Sequence, residues 1–215
     1  MTDDDVRTFI RNHTAVTAPP LVPELKLHLA TEITPLWQAT ETWLSRQGIE
    51  PPYWAFPWVG GQALARFVLD HPAYVRGQRV LDFGAGSGLV ALAAARCGAE
   101  VTASDLDPVA GAAITLNAAL NDVAVEVAIE DAIDREGPWS VVLAGDMFYE
   151  RRLAERAWPW LLRLAGQGVS VFLGDPGRAF LPSAGLLECA RYSVPTSKEL
   201  EDREVREVRV WRVSP

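Results

Sequence analysis

The run Val80-Leu81-Asp82-Phe83-Gly84-Ala85-Gly86-Ser87-Gly88 restricts what this chain can fold into more than any other segment. An apolar strand runs into three alternating glycines and then straight into a helix of small residues, Ser87–Cys97. Glycines let the backbone turn tightly and let a ligand approach without a Cβ in the way. The helix start beyond them presents unpaired N–H groups to that ligand. Asp105 stands at the end of the next strand, about 20 residues after the first glycine, where a carboxylate accepts from both hydroxyls of a ribose. A nucleoside-containing cofactor on a parallel sheet is implied. Taken alone, the glycine loop also reads as a plain strand–helix turn.

The rest of the chain extends that sheet. Strands are expected at Arg79–Phe83, Glu100–Ser104, Val125–Ile129, Val141–Ala144 and Ser170–Gly174, alternating with helices at Ser87–Cys97, Pro108–Leu120 and Arg152–Leu164. That alternation predicts an α/β fold, a Rossmann-like parallel sheet with helices on both faces. The tail breaks the pattern. Leu187–Val194 and Val205–Val213 read as two strands with no helix between them, an antiparallel hairpin at one edge. Residues 77–215 form this core, and residues 1–76 an N-terminal extension of helix and strand, within one domain overall. In the extension, Asp3–His13 reads as a helix, Leu25–Leu29 as a strand, and Thr34–Arg46 and Gly60–Leu69 as helices. Between those two helices, the three prolines of Pro51–Trp58 are expected to hold their aromatics in an extended loop.

Composition narrows the function. With 215 residues and a formal charge of −8, the chain is large enough for a core and acidic where a phosphate-binding face would be basic. The acidic start lacks the basic and apolar segments of a secretory signal, and apolar runs such as Gly88–Ala95 are far shorter than a membrane span. Two cysteines, Cys97 and Cys189, suggest a reducing compartment. The expectation is a soluble, cytoplasmic monomer that binds neither nucleic acid nor membrane. His13, His28 and His71 are scattered, with no metal-ligand spacing.

Two details separate the possible cofactors. Leu89 stands where a dinucleotide fingerprint has glycine or alanine, and Asp82 precedes the first glycine by two residues. A carboxylate there would repel a pyrophosphate and suits a cationic amino-acid moiety. Asp82, Gly84, Gly86, Gly88 and Asp105 together resemble the S-adenosylmethionine site of seven-stranded methyltransferases. Asp131, after the third strand, is the candidate for the adenine amino group, with a solvated loop acid as the competing reading. Asn117 is expected to support packing.

After the fourth strand comes Gly145-Asp146-Met147-Phe148-Tyr149, at the end of the sheet where ligands bind in open α/β folds. An acid followed three residues later by tyrosine is a pattern of protein-lysine methyltransferases. Methyl transfer is an in-line displacement, so positioning dominates. A lysine must first lose its proton, and desolvation among aromatics helps. Asp146 and Tyr149 are the catalytic candidates, with Trp54, Trp58 and Phe148 as walls of a lysine channel. Core filling is the competing reading for each ring, weaker in the proline-bounded loop, which offers no regular face to bury. Asp82, Asp105, Asp131 and Asp146 are expected around one crevice, and Asp3–Asp5 and Glu199–Glu207 as ordinary surface charge.

PYWAFPWVGGQALARFVLDHP (Pro52–Pro72), VLDFGAGSG (Val80–Gly88), SDLDPVAGAAITLN (Ser104–Asn117), GDMFYERRLAERAWPWL (Gly145–Leu161) and GDPGR (Gly174–Arg178) resemble, in order, the electron transfer flavoprotein β-subunit lysine methyltransferase family. The resemblance implies S-adenosylmethionine-dependent methylation of that subunit's lysines, up to trimethylation. It implies that Gly84, Gly86, Asp105 and Trp58 hold the cofactor and that Asp146 and Tyr149 serve the lysine. Arg178, in Asp175-Pro176-Gly177-Arg178, either contacts the substrate or belongs to a structural turn. A ribosomal protein is the alternative substrate, and a non-catalytic nucleotide-binding module the alternative class. The segment lacks the prolines of an Asn/Asp-Pro-Pro-Tyr motif, against a flipped-base substrate.

Overall fold

The computed structural model describes residues 2–30 and 52–214. The chain opens with helix α1 (Asp3–His13), whose Thr2 and Asp5 form a capping box. A short antiparallel pair follows, β1 (Ala15–Thr17) with β2 (Leu27–Leu29). The strand expected at Leu25–Leu29 is thus present in shorter form, and its partner β1 was not anticipated, since three exposed residues carry no alternation to read. The helix expected at Thr34–Arg46 lies outside the described residues.

Helix α2 (Val59–Asp70) leads into strand β3 (Arg79–Phe83), the glycine loop and helix α3 (Leu89–Arg96). Then come β4 (Glu100–Asp105), α4 (Pro108–Leu120), β5 (Glu126–Ile129), β6 (Val141–Gly145), α5 (Arg151–Gly166) and β7 (Ser170–Asp175). The chain closes with β8 (Leu186–Pro195), a one-turn helix α6 (Lys198–Glu201) and β9 (Val205–Val213). The seven-stranded sheet has the order β5-β4-β3-β6-β7-β9-β8. Its first five strands are parallel, and β9 pairs antiparallel with both β7 and β8. The expected α/β fold with its C-terminal hairpin is therefore observed, with α6 as an unexpected insertion in the hairpin.

The strand order reverses between β3 and β6, which opens a crevice at their carboxyl ends. Two helical layers enclose the sheet. On one face Val59, Leu64, Phe67 and Val68 of α2 bury against Val80, Leu143, Phe172 and Val210. On the other, Ala157, Trp160 and Leu161 of α5 pack on Leu81, Val142 and Leu173. Gly60 and Gly174 let α2 begin directly on the end of β7, because a Cβ on either would overlap the other's carbonyl oxygen.

The proline-rich segment is not an extended loop. Pro52 leads into a 3-10 turn, Tyr53–Ala55, closed by Ala55 N–H donating to Pro52 O at 3.0 Å. The turn gives the aromatics a face after all. Trp54, 3% exposed, and Phe56 pack with Ile10 of α1 against Ala110, Ala113 and Leu116 of α4. Trp54 is core, and the expectation that it walls a substrate channel is corrected. Asn117 does support packing: its Oδ1 accepts from His28 N at 2.8 Å and its Nδ2 donates to Ser87 O at 2.8 Å. The extension is thereby tied to the glycine loop.

Candidate active site

The three loop glycines all have positive φ, +70° at Gly84, +52° at Gly86 and +80° at Gly88. A side chain at Gly84 would also overlap the end of the Met147 side chain, which would have to move for the loop to pack on the segment after β6. Asp105 holds the loop in place. Its Oδ2 accepts from Gly86 N at 2.8 Å and its Oδ1 from Asp107 N at 3.0 Å. Both oxygens face backbone donors at the crevice, beside the loop they organise.

Asp82 is 1% exposed, and its Oδ2 accepts from Ala91 N on α3 at 2.8 Å. Burial raises its carboxyl to about 7, against the Ala91 N–H and with a smaller push from Asp105. A cleft of about 380 Å³, counting its open mouth, is bounded by Asp82, the loop from Gly84 to Ser87, Trp58 and Gly145. A buried carboxylate with no cation beside it among the described residues, next to backbone that glycine keeps bare, fits a nucleoside carrying a cationic tail.

Rings lead outward from this cleft. Trp58 donates from Nε1 to Tyr53 O at 2.9 Å, and its ring stands 5.8 Å edge-on from Tyr53 and 6.0 Å from Phe56. Tyr53 in turn lies 5.7 Å from Tyr149, whose side chain is exposed. The row Trp58–Tyr53–Tyr149 joins two segments far apart in sequence. Tyr53 is not among the residues singled out from sequence, although it lies in the same aromatic run; the signal would have been its separation from buried Trp54 within one tight turn. Phe148 does not join the row. It is 1% exposed and packs edge-to-face on Trp158 at 6.2 Å, so its place as a channel wall is corrected to core.

Asp146 follows β6 with φ +58°, a left-handed conformation that aspartate tolerates better than most residues. It is buried. Its Oδ2 accepts from Gly61 N at 3.1 Å, while Oδ1 accepts from Arg178 Nε at 3.0 Å and Nη2 at 2.6 Å. The same guanidinium grips Glu201 of α6, Nη2 to Oε1 at 2.5 Å and Nη1 to Oε2 at 3.0 Å. Burial lifts Asp146 above the ordinary carboxylate range even with Arg178 opposing it. Burial works against the charge on Arg178, yet Asp146 and Glu201 together raise it above the usual arginine value. Arg178 is therefore the centre of a buried ion triad. Glu201, with 3% of its side chain exposed, corrects the expectation of surface charge across Glu199–Glu207. Nothing in that acidic run distinguishes it.

Asp131 stands apart from the cleft lining. Its Oδ2 accepts from Arg156 Nη2 at 2.7 Å and its Oδ1 from Ile133 N at 3.0 Å. Burial pulls it upward, but Arg156 and Ile133 outweigh that and hold it below the usual carboxylate range. The loop carrying it is tied to β4 by Glu130 N–H donating to Asp105 O at 3.0 Å. Among the described residues, no group of three or more His, Cys, Asp or Glu is arranged to hold a metal ion.

Comparison with known proteins places this site in a lineage. The family model of ribosomal protein L11 methyltransferase (PrmA) matches residues 64–145, the stretch from α2 through β6. Among solved structures, magnesium protoporphyrin IX methyltransferase from Synechocystis PCC 6803, crystallised with bound SAM, superposes with a TM-score of 0.54. It is 18% identical and covers 73% of this chain and 81% of its own, a likeness of fold. The electron transfer flavoprotein beta subunit lysine methyltransferase of Xenopus laevis is 44% identical over 97% of this chain and 87% of its own length. The Homo sapiens protein of the same name is 36% identical over 99% of this chain and 84% of its own. Kinship at that level runs over nearly the whole chain, and the chain belongs to the electron transfer flavoprotein beta subunit lysine methyltransferase family.

Proposed function

We propose that this chain transfers methyl groups from S-adenosylmethionine to lysines of the electron transfer flavoprotein beta subunit, up to the trimethylated state. One observation carries the reading: the cleft over buried Asp82 and the glycine loop opens onto the aromatic row Trp58–Tyr53–Tyr149. Bound in the cleft, the cofactor supplies an electrophilic methyl on a sulfonium and leaves as S-adenosylhomocysteine. Asp82 holds the ammonium of its amino-acid end. Gly84, Gly86 and Gly88 leave room for it along the backbone, Asp105 accepts from the ribose hydroxyls, and the adenine reaches past the lined cleft toward Asp131. Trp58 closes the cleft on the substrate side.

The chain's own work is positioning and desolvation. A lysine ammonium, whose pKa in water is near 10.4, is disfavoured between ring faces, and its proton leaves toward solvent at the exposed Tyr149 end. Once methylated, the nitrogen is cationic, and a ring face stabilises it by about 0.5–2 kcal/mol. Asp146 keeps its backbone and Arg178 contacts while a remaining lone pair accepts from the substrate nitrogen, since a carboxylate has about four acceptor sites. Tyr149 orients that nitrogen.

A ribosomal-protein substrate draws support from the match over residues 64–145. That stretch holds most of the cofactor cleft and excludes both Trp58 and Asp146, so it speaks to the cofactor more than to the substrate. The reading places the enzyme in the cytoplasm as a monomer, and the free thiols of Cys97 and Cys189 are compatible with that compartment. No described helix is long and apolar enough to cross a membrane.

Mass spectrometry of the beta subunit from cells lacking this protein tests the proposal. The subunit is expected to lose the mass of three CH2 units at its modified lysines, since each methyl replaces a hydrogen. A full increment persisting in those cells sinks the substrate assignment.

A further inference from the structure

The guanidinium of Arg178 is shared unequally between its two carboxylates. Its fork faces Glu201, Nη2 on Oε1 at 2.5 Å and Nη1 on Oε2 at 3.0 Å, one nitrogen for each oxygen. Asp146 receives the Nε edge on a single oxygen, with Nε at 3.0 Å and Nη2 at 2.6 Å both on Oδ1. A guanidinium paired with one carboxylate alone commonly takes both of its oxygens. Oδ2 of Asp146 instead accepts from Gly61 N at 3.1 Å. Gly61 and Gly145 line the cofactor cleft, so this oxygen lies one hydrogen bond from its wall.

Glu201 reaches this place from the far end of the chain, on the one-turn helix α6 inserted in the C-terminal hairpin. Its neighbour Leu200 packs on the cluster that contains Trp54 and Phe56. Helix α6 therefore bears on the aromatic turn and on Asp146 together.

The other charges around the pair do not cancel Asp146. Asp175 ends β7, and burial raises its carboxyl to about 6, so it too is mostly ionised above neutral pH. Arg206 of β9 reaches Glu201 Oε2 at 3.7 Å. Glu207 and Arg209 pair with each other at 3.5 Å, while Asp202 and Arg203 are exposed, where water and salt screen them. Two guanidiniums thus face three buried carboxylates, and Asp146 keeps negative charge despite its ion pair.

We propose that Glu201 is a positioning residue for methyl transfer: by holding the fork of Arg178 it confines that cation to Oδ1 and keeps Oδ2 of Asp146 available to the substrate nitrogen. The assignment rests on the lysine-methylation reading above. Without the Glu201 charge, the guanidinium turns to Asp146 alone and takes both oxygens.

The test uses the full-length enzyme with S-adenosylmethionine and purified electron transfer flavoprotein beta subunit. Glu201→Gln keeps the size and one oxygen and puts a donor in place of the other, which the fork cannot use. Its kcat/KM for the subunit is expected to fall about tenfold, the worth of one hydrogen bond. Affinity for S-adenosylmethionine stays within about twofold, which reports an intact fold at the cleft. Burial raises Asp146 most and Glu201 adds to it, so without that charge the acid limb of kcat/KM that reports Asp146 moves to lower pH. Glu201→Asp keeps the charge one methylene short of the fork, and a loss of about threefold is expected, half of that energy, with a smaller shift of the limb. A merely structural role leaves the limb where it is. Should Glu201→Gln fail to fold, Glu201→Asp decides on the same two readings. Wild-type kcat/KM with an unshifted limb, or equal losses in both variants with an unshifted limb, overturns the role of Glu201 and leaves the reaction standing. A wild-type enzyme that does not methylate the subunit overturns the substrate reading and this role with it.

Discussion

The Asp82 cleft and the Arg178 triad both put a buried aspartate at the end of a parallel strand, and they resolve its burial in opposite ways. Asp82 has one backbone N–H for company and opens onto a cleft. Asp146 has a guanidinium on one oxygen and a backbone N–H on the other. The first carboxylate is left needing a cation, which suits a site that receives one. The second brings its own cation and shares it with Glu201 from the far end of the chain. The contrast distinguishes a group kept ready for a cationic ligand from a group fixed in place by its own cation, with one acceptor site left over for the substrate nitrogen. If it is right, removing the partner at the triad destabilises the fold, whereas changes at the cleft alter binding and leave the fold standing.

The largest effect is therefore expected at Arg178. Arg178→Met leaves Asp146 buried without its cation and Glu201 with only the longer Arg206 pair at 3.7 Å, a loss of about 3–5 kcal/mol in unfolding free energy by chemical denaturation. The deficit should depend on pH with a definite sign. Asp146 already lies above its ordinary value, and without Arg178 it climbs further. A carboxyl raised in the fold favours folding at low pH and penalises it as pH rises through the folded-state value. The gap between variant and wild type should thus be small at pH 5 and widen toward pH 8. A loss of under about 1 kcal/mol would place Arg178 among surface ion pairs and dissolve the contrast.

At the cleft, Asp105→Ala comes next. It deletes the acceptor that holds Gly86 and Asp107 along with the proposed ribose contact. Hydrogen bonds to a charged group contribute about 1.5–3 kcal/mol each, so affinity for S-adenosylmethionine should fall at least a hundredfold by calorimetry. Thermal unfolding without cofactor should move far less than in Arg178→Met. Unchanged affinity would remove Asp105 from the cofactor site.

The same contrast marks what could be read from sequence. The glycine loop is contiguous, and Asp105 ends the neighbouring strand, so local turn chemistry and strand spacing suffice to assemble the cleft. Asp146 and Arg178 stand in recognisable segments, but Glu201 does not, because its burial depends on the hairpin between β8 and β9 folding back over β7. Trp54 and Phe148 failed for a related reason. Whether a ring is wall or core depends on what packs behind it, and the small-residue surface of α4 that takes Trp54 lies more than 50 residues away in sequence. The row from Trp58 to Tyr149 likewise exists only once α2 docks its first turn on β6 and β7.

The finest test of the comparison is the protonation of Asp82. Burial holds this carboxyl at about 7 in the ligand-free protein, so near neutral pH much of it is neutral, and a cofactor ammonium calls for the ionised form. Affinity for S-adenosylmethionine should therefore rise about tenfold between pH 6 and pH 8, with a proton released on binding near pH 7. The stability of the ligand-free protein should run the other way. The contribution of a raised carboxyl is full below its unfolded value near 4 and is lost as pH climbs through 7, so bound cofactor stabilises most where the free protein is weakest. Asp82→Asn keeps an oxygen for the Ala91 N–H and removes the titration. Its affinity should be flat across this range and close to the wild-type value at pH 6. Calorimetry in buffers of different ionisation enthalpy reads both the slope and the proton. A slope that survives in Asp82→Asn belongs to another group, and Asp82 would then be as settled in its fold as Asp146.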